Sequence, residues 1–332
     1  MKKLTVIDLF SGAGGLSRGF YDAGYDIIMG IDSDSSALKT FEKNHGNAKA
    51  MNLDLFNHEN IYVLEKYMKK ERKQLDVLVG GPPCQGFSLA GKRDETDERN
   101  ILYSAMVKAA EILRPRAIVL ENVTGMLTLY KGQAKEKIFK DFNKLGYKMN
   151  VKILYAPDYG VPQIRKRAFF VGILDSDVQF EYPNPTVKAE NYVTCEQAIG
   201  DLPSLINENN FSLDVVREYE SDPITEYQKK MRKGSKKIYN HIATNHTEKT
   251  IGYLSMIPDG GKYTDLPEEL AKNFKYRESL HRYTSDKPSL TIDTGHRTHF
   301  HYRYNRIPTV RENARLQSFP DNFIFFGNKQ DQ

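Results

Sequence analysis

The chain has 332 residues, 39% of them hydrophobic, enough for one large domain plus a smaller one around a real core. Two cysteines, no amino-terminal apolar leader and no apolar stretch of membrane-spanning length exclude a disulfide scaffold, a secreted precursor and an integral membrane protein; they predict a cytoplasmic protein with no membrane partner. The net charge of +5 is compatible with a polyanionic partner without demanding one.

From residue 4 to about residue 174, short β-rich runs alternate with stretches whose apolar residues fall at helical spacing. LTVIDL (4–9), YDIIMGI (25–31), LDVLVG (75–80), RAIVLEN (116–122), MNVKILY (149–155) and RAFFVGIL (167–174) predict strands. Between them SALKTFEKNH (36–45), ENIYVLEKYMKK (59–70), ILYSAMVKAAEILR (101–114) and KEKIFKDFNKLG (135–146) predict helices, the last closed by Gly146. The alternation predicts an α/β fold with a doubly wound, mostly parallel sheet covered on both faces. After Asp175 it fails, and Pro183, Pro185 and Pro203 punctuate the chain, so a smaller, irregular second domain follows. The expected boundaries are 1–185, 186–306 and a segment 307–332 that returns to the first domain. Within that segment TVRENARLQSFP (309–320) reads as a helix with Thr309 and Glu312 in capping-box positions, stopped by Pro320. The one dense charge run, KKMRKGSKK (229–237), reads equally as a phosphate clamp and as a solvated face.

DLFSGAGGLSRGF (8–20) joins the first strand to the first helix. Gly12, Gly14 and Gly15 let the backbone approach a ligand and leave amides at a helix start, although a plain tight turn has the same look. The spacing is not G-x-G-x-x-G, so a methyl-donor nucleoside fits better than a nicotinamide dinucleotide. Asp32 in GIDSD suits ribose hydroxyls and Asp54 in NLDLF an adenine amino group; each reads equally as a helix N-cap.

GGPPCQGFS (80–88) places Cys84 on a stiff turn at a strand's carboxyl end, the edge where open α/β sheets bind ligands. A lone cysteine is more often a small buried hydrophobe. ENV (121–123) ends the next strand, so Glu121 emerges on the same edge about 5 Å away. In VPQIRKRAFF, Arg165 and Arg167 alternate into an apolar strand and share a face.

In this order and at these separations, DLFSGAGGLSRGF, GPPCQGFS, ENV, QIRKR and RENARLQSFP resemble the DNA (cytosine-5) methyltransferase family of the bacterial restriction-modification type, over nearly the whole chain. The likeness is least between about Asn191 and Phe300, where the family carries its target-recognition domain. The resemblance implies an S-adenosylmethionine-dependent methyltransferase sheet and methyl transfer to C5 of a cytosine flipped out of double-stranded DNA, with Cys84 bonded to C6. It gives Glu121 to cytosine N3, Arg165 to the base's O2 side, and Arg167 to support of that geometry, with no metal. It assigns the methyl donor to Phe10, Ser11, Gly12, Gly14, Gly15, Leu16, Asp32, Ser33, Asp54, Leu55 and Pro82. DNA contacts fall to Gln85, Ser88 and Arg99 around the polar loop SLAGKRDETDERN, and to Arg297, Arg303 and Arg306 in TGHRTHFHYRYNR. His296, His299 and His301 lack the cysteines or carboxylates that would complete a metal site, and Cys195 reads as core.

Family members continue past RLQSFPDNFIFFG into a segment of the type Gln-Tyr-x-Gln-x-Gly-Asn-Ala-Val-Pro-Pro. The resemblance therefore leaves three explanations open, a second polypeptide that supplies the segment, a truncated reading frame, or a protein that manages without it, and it predicts apolar surface around Leu16 and Phe20. A cognate restriction endonuclease acting on the same site is the other implied partner. The alternatives are a tRNA cytosine-5 methyltransferase, whose Cys-Phe-Thr signature is absent, and a catalytically weak DNA-binding homologue. A nicotinamide oxidoreductase fits the sheet and leaves the Pro-Cys and ENV motifs idle.

Overall fold

The computed structural model describes residues 2–83, 101–206, 208, 210–271, 280–292 and 299–328; Cys84, Gln85, Ser88, Arg99 and Arg297 lie outside the described residues. Two compact units result: Met1–Leu154 with Lys166–Asn184, and Tyr155–Arg165 with Pro185–Gln332. The chain passes into the second unit for the last time at Pro185. The earlier visit of Tyr155–Arg165 to that unit was not expected.

The first unit runs β1 (Thr5–Leu9), α1 (Gly15–Asp22), β2 (Asp26–Asp32), α2 (Ser35–Asn44), β3 (Lys49–Asn52), α3 (Ile61–Lys70), β4 (Val77–Gly80), α4 (Ile101–Leu113), β5 (Ala117–Val123), α5 (Gln133–Lys144), β6 (Tyr147–Tyr155) and β7 (Lys166–Leu174). Among the described residues these strands form one sheet in the order β3-β2-β1-β4-β5-β7-β6. β1 pairs in parallel with both β2 and β4, so the winding reverses there and opens a crevice at the carboxyl edge. β7 is antiparallel to β5 and sets Phe169 opposite Glu121 and Arg167 opposite Val123.

Local chemistry accounts for the elements. Asp34 caps α2 by accepting from the Ser36 and Ala37 amides at 2.8 and 3.2 Å. Gly146, at φ +91°, ends α5 with its amide on the Asn143 carbonyl. On one face of the sheet α3, α4 and α5 bury Leu64, Met68, Met106, Ile138 and Phe142. On the other, α1 and α2 pack on Val6, Ile27, Val77 and Val79. Among the described residues, that second face is only partly covered. Beyond α1, the side chains of Ala117, Val119, Phe169, Val171 and Ile173 join Leu16 and Phe20 in lining an apolar groove of about 780 Å³.

The second unit contains α6 (Cys195–Ile199), α7 (Glu226–Arg232), α8 (Glu248–Ser255), α9 (Glu268–Ala271), the short strands β8 (His281–Arg282) and β9 (His299–Phe300), and α10 (Val310–Leu316). Thr309 and Glu312 form the expected capping box on α10. Residues 307–328 do not return to the first unit, and two arginines of α10 show why. Arg315 is fully buried and clasps Asp321 through Nε and Nη2 at 2.8 and 2.6 Å, while Nη1 reaches Asp201. Arg311, equally buried, donates to the carbonyls of Tyr239, Pro320 and Phe323. Charges so enclosed must keep their partners, and all of these belong to the second unit. Cys195 is buried in the same core, and burial pushes its thiol up. Among the described residues no helix is long and apolar enough to cross a membrane.

Candidate active site

The turn between β1 and α1 is held in a conformation that few sequences allow. Phe10, Gly12 and Gly14 all have positive φ, at 60°, 50° and 90°. Asp32 fastens the turn to the end of β2: Oδ2 accepts from the Gly12 amide at 2.8 Å and Oδ1 from the Asp34 amide at 2.9 Å. The Ser11 amide donates to the Ile31 carbonyl at 3.0 Å. From beneath, Asp8 accepts from Ser17 Oγ at 2.6 Å, tying β1 to the first turn of α1. Burial pushes the Asp8 carboxyl up to about 7, and the negative charge of Asp32 adds to the rise.

A cleft of about 420 Å³ opens beside this turn, lined by Phe10, Asp32, Ser33, Leu53, Asp54, Leu55, Phe56, Gly81, Pro83 and Leu102. Apolar walls with two carboxylates suit a purine nucleoside, whose ring stacks and whose hydroxyl and amino groups donate. Five of the expected cofactor residues line it: Phe10, Asp32, Ser33, Asp54 and Leu55. Leu16 faces the apolar groove instead, and Pro82 is buried between the lining residues Gly81 and Pro83. Leu53, Phe56 and Leu102 went unread because an isolated apolar residue carries no signal of its own. Asp32 is not an N-cap, a part taken by Asp34, whereas Asp54 accepts from the Phe56 amide two residues on.

The carboxyl ends of β4 and β5 lie in parallel register, Gly80 beside Leu120, so Gly81 comes next to Glu121. Asn122 Nδ2 donates to the Pro82 carbonyl at 3.2 Å and fixes the segment that leads into Cys84. Glu121 Oε1 meets Arg167 Nε at 2.9 Å, with both side chains mostly buried. Arg165 immediately precedes β7, and its carbonyl accepts from the Ala156 amide at 2.9 Å.

A carboxyl group backed by arginine at the switch edge, next to a nucleoside-sized cleft, is the setting in which the family comparison is decisive: the profile of C-5 cytosine-specific DNA methylases matches residues 4–332. The chain belongs to that family. The Type II methyltransferase M1.HphI of Haemophilus parahaemolyticus is 37% identical over 330 residues, 98% of this chain and 80% of that protein. M.DdeI of Desulfomicrobium norvegicum is 36% identical over 344 residues, 98% of this chain and 81% of its own. Among solved structures, one described as a DNA modification methyltransferase encoded within an E. coli prophage superimposes with a TM-score of 0.79 at 28% identity, covering 98% and 92% of the two chains. The S. pombe Dnmt2 methyltransferase, at 16% identity and a TM-score of 0.56, shares the fold over 97% and 88%.

In the second unit of this DNA (cytosine-5) methyltransferase, two of the arginines expected at DNA are described. Arg303 is half exposed and pairs with Glu196. Arg306 is buried, with Nη1 and Nη2 on the two oxygens of Glu312 at 2.7 and 2.6 Å, so its charge is spent inside the unit and it presents nothing to DNA. Glu312, held well below the usual carboxylate range by Arg306 against its burial, also faces His301. His301 is buried, its own pKa pushed down to about 3, and Nδ1 accepts from the amides of Arg303 and Tyr304. His299 stacks on Tyr283 at 5.3 Å. In the basic run, Arg232 pairs with Asp201, and Lys229 and Lys237 with Glu226 and Glu218.

Proposed function

We propose that the methylase transfers a methyl group from S-adenosylmethionine to C5 of a cytosine flipped out of a specific double-stranded DNA sequence. The observation that carries this reading is Glu121, ion-paired with Arg167 beside the Gly81–Pro82 segment, which Asn122 holds and which precedes Cys84 in the sequence. S-adenosylmethionine in the neighbouring cleft supplies an electrophilic methyl group on sulfonium. Asp32 and Asp54 take its hydroxyl and amino groups, and Phe10, Leu53 and Phe56 enclose its ring. Cytosine C5 is a poor nucleophile until Cys84 Sγ, as thiolate, bonds to C6; the displaced π electrons move toward N3, which Glu121 hydrogen-bonds or protonates. C5 would then take the methyl group as its bond to the sulfonium sulfur breaks and S-adenosylhomocysteine leaves; the C5 proton would pass to water, and the returning electrons would re-form the C5–C6 double bond and expel the Cys84 thiolate. A free thiol is only a few per cent ionised at neutral pH, so the site must favour thiolate or deprotonate it on attack. Arg165 holds the O2 side of the base. Flipping costs roughly a few kcal/mol, recovered in contacts to the extruded base.

DNA containing 5-fluorocytosine tests the reading, because fluorine at C5 cannot leave as a proton. Wild type with S-adenosylmethionine should form a denaturant-stable adduct and Cys84→Ala none; an adduct with Cys84→Ala overturns the assignment. We infer a restriction-modification setting, a reading that the likeness to Type II methyltransferases supports, with residues of about 190–305 reading the sequence and a cognate endonuclease sharing it. Bisulfite sequencing of DNA from expressing cells should show one methylated context, and methylation without context contradicts it.

We propose further that the apolar groove receives a helix-forming segment of the type that family members carry after the RLQSFPDNFIFFG region. One observation supports this: the sheet face lined by Val119, Phe169 and Val171 carries no cover among the described residues. The same alternating faces of β5 and β7 carry Glu121 and Arg167, so an occupant lies next to the ion pair. A peptide of the Gln-Tyr-x-Gln-x-Gly-Asn-Ala-Val-Pro-Pro type should tighten S-adenosylmethionine binding at least fivefold, and Val171→Asp should abolish that gain. Tight binding and full turnover without the peptide refute it.

A further inference from the structure

The glycine turn rests on two rings that no motif announces. Phe41, on α2, is fully buried, and His45, which caps that helix, is 3% exposed. Their centroids lie 4.6 Å apart, the planes tilted by 34°. A Cβ on Gly14 would stand 2.5 Å from His45 Nε2 and 2.8 Å from Phe41 Cδ2; one on Gly30 would stand 2.3 Å from Phe41 Cζ. The backbone of the turn and of β2 therefore lies directly on the ring pair, a contact only glycine permits. His45 Nε2 also sits 3.1 Å from the Gly14 carbonyl oxygen. Burial holds the imidazole below its ordinary pKa and so neutral, and with Nε2 protonated it donates to that carbonyl.

Gly14 is the N-cap of α1 and has no side chain to fix its own peptide. Its carbonyl also accepts from the Arg18 amide at 2.8 Å. The orientation of this one peptide sets the direction of the amides that follow it at the start of α1, in the turn whose Phe10 lines the cleft.

We propose that His45 is a positioning residue for the methyl donor, fixing the Gly14 peptide from behind through its Nε2–H. It touches no reacting atom and lies outside the cleft lining. This inference rests on the reading that the cleft binds S-adenosylmethionine.

Calorimetric titration of the full chain with S-adenosylmethionine tests it, with initial rates on DNA alongside. His45→Leu and His45→Phe fill the space and remove the donor. Each should weaken binding about tenfold and raise the KM for the donor to match, leaving kcat at saturation within twofold. His45→Gln returns an N–H at similar reach and should bind within threefold of wild type. That rescue separates the hydrogen bond from simple packing, and the two donor-less variants guard against one that fails to fold. Wild-type affinity in both, or equal weakening in the Gln variant, overturns the inference. A wild-type chain that binds no S-adenosylmethionine overturns instead the reading of the cleft on which it rests.

Discussion

Asp8→Asn should stabilise this protein, and more so as pH rises. Asp8 lies on β1 with 1% exposure, and burial lifts its carboxyl from 3.8 to about 7. The folded chain therefore holds this proton more tightly than the unfolded one. The associated stability is fully present below pH 3.8 and is lost as pH rises through about 7. The whole shift is worth about 4 kcal/mol, of which roughly 2.5 kcal/mol falls between pH 5 and 8. Asparagine keeps an oxygen that accepts from Ser17 Oγ and has nothing to ionise. Urea unfolding of wild type and Asp8→Asn at both pH values measures the effect as a difference of differences, so the buried histidines of the second unit cancel. The variant's advantage should grow by about 2–3 kcal/mol from pH 5 to pH 8. An advantage that is flat with pH, or that shrinks, would refute the burial argument for Asp8.

Glu121→Gln should lower kcat about 100-fold or more while DNA affinity stays within about threefold, because its contribution grows only as electrons reach the ring. Equal losses in kcat and in DNA binding, read by single-turnover kinetics and a binding titration, would remove it from that role. Arg315→Met should cost about 3–5 kcal/mol, since Asp321 and Asp201 would lose a fully buried partner. Denaturant unfolding that shows less than about 1 kcal/mol would mean these carboxylates find other partners.

The first unit was legible because its signals are local. Each of the six expected strands is an apolar run between breakers, and each forms. β3 was missed: Lys49–Asn52 is four residues long and half exposed, with no pattern to read. The glycine turn and the Glu121 edge were readable because glycine spacing and strand order fix backbone positions. The second unit was not readable by the same means. Its interior is built partly from Arg282, Arg306, Arg311, Glu312 and Arg315, residues that composition assigns to surface. Arg306 was expected at DNA because TGHRTHFHYRYNR mixes basic and aromatic residues in a way that suits phosphate and base contacts. Only the fold reveals that its charge is matched by Glu312, six positions on in sequence. His45 gave no signal, since a single histidine at a helix end looks the same wherever it points.

The excursion of Tyr155–Arg165 has a consequence for how the chain is made. β6 lies at the sheet's edge, and its neighbour there is β7, whose last residue is made nineteen positions after β6 ends. At ordinary elongation rates of about 5–20 residues per second, β6 waits roughly one to four seconds beside the ribosome without the strand that will hold it. The ten residues synthesised in between wait longer still, because the unit they join is completed only by the segment around α10, some 150 residues downstream. Neither unit is an uninterrupted stretch of chain, so a graft that exchanges the second unit between relatives must carry two pieces, and one that carries only the long piece leaves a foreign strap sewn into its core.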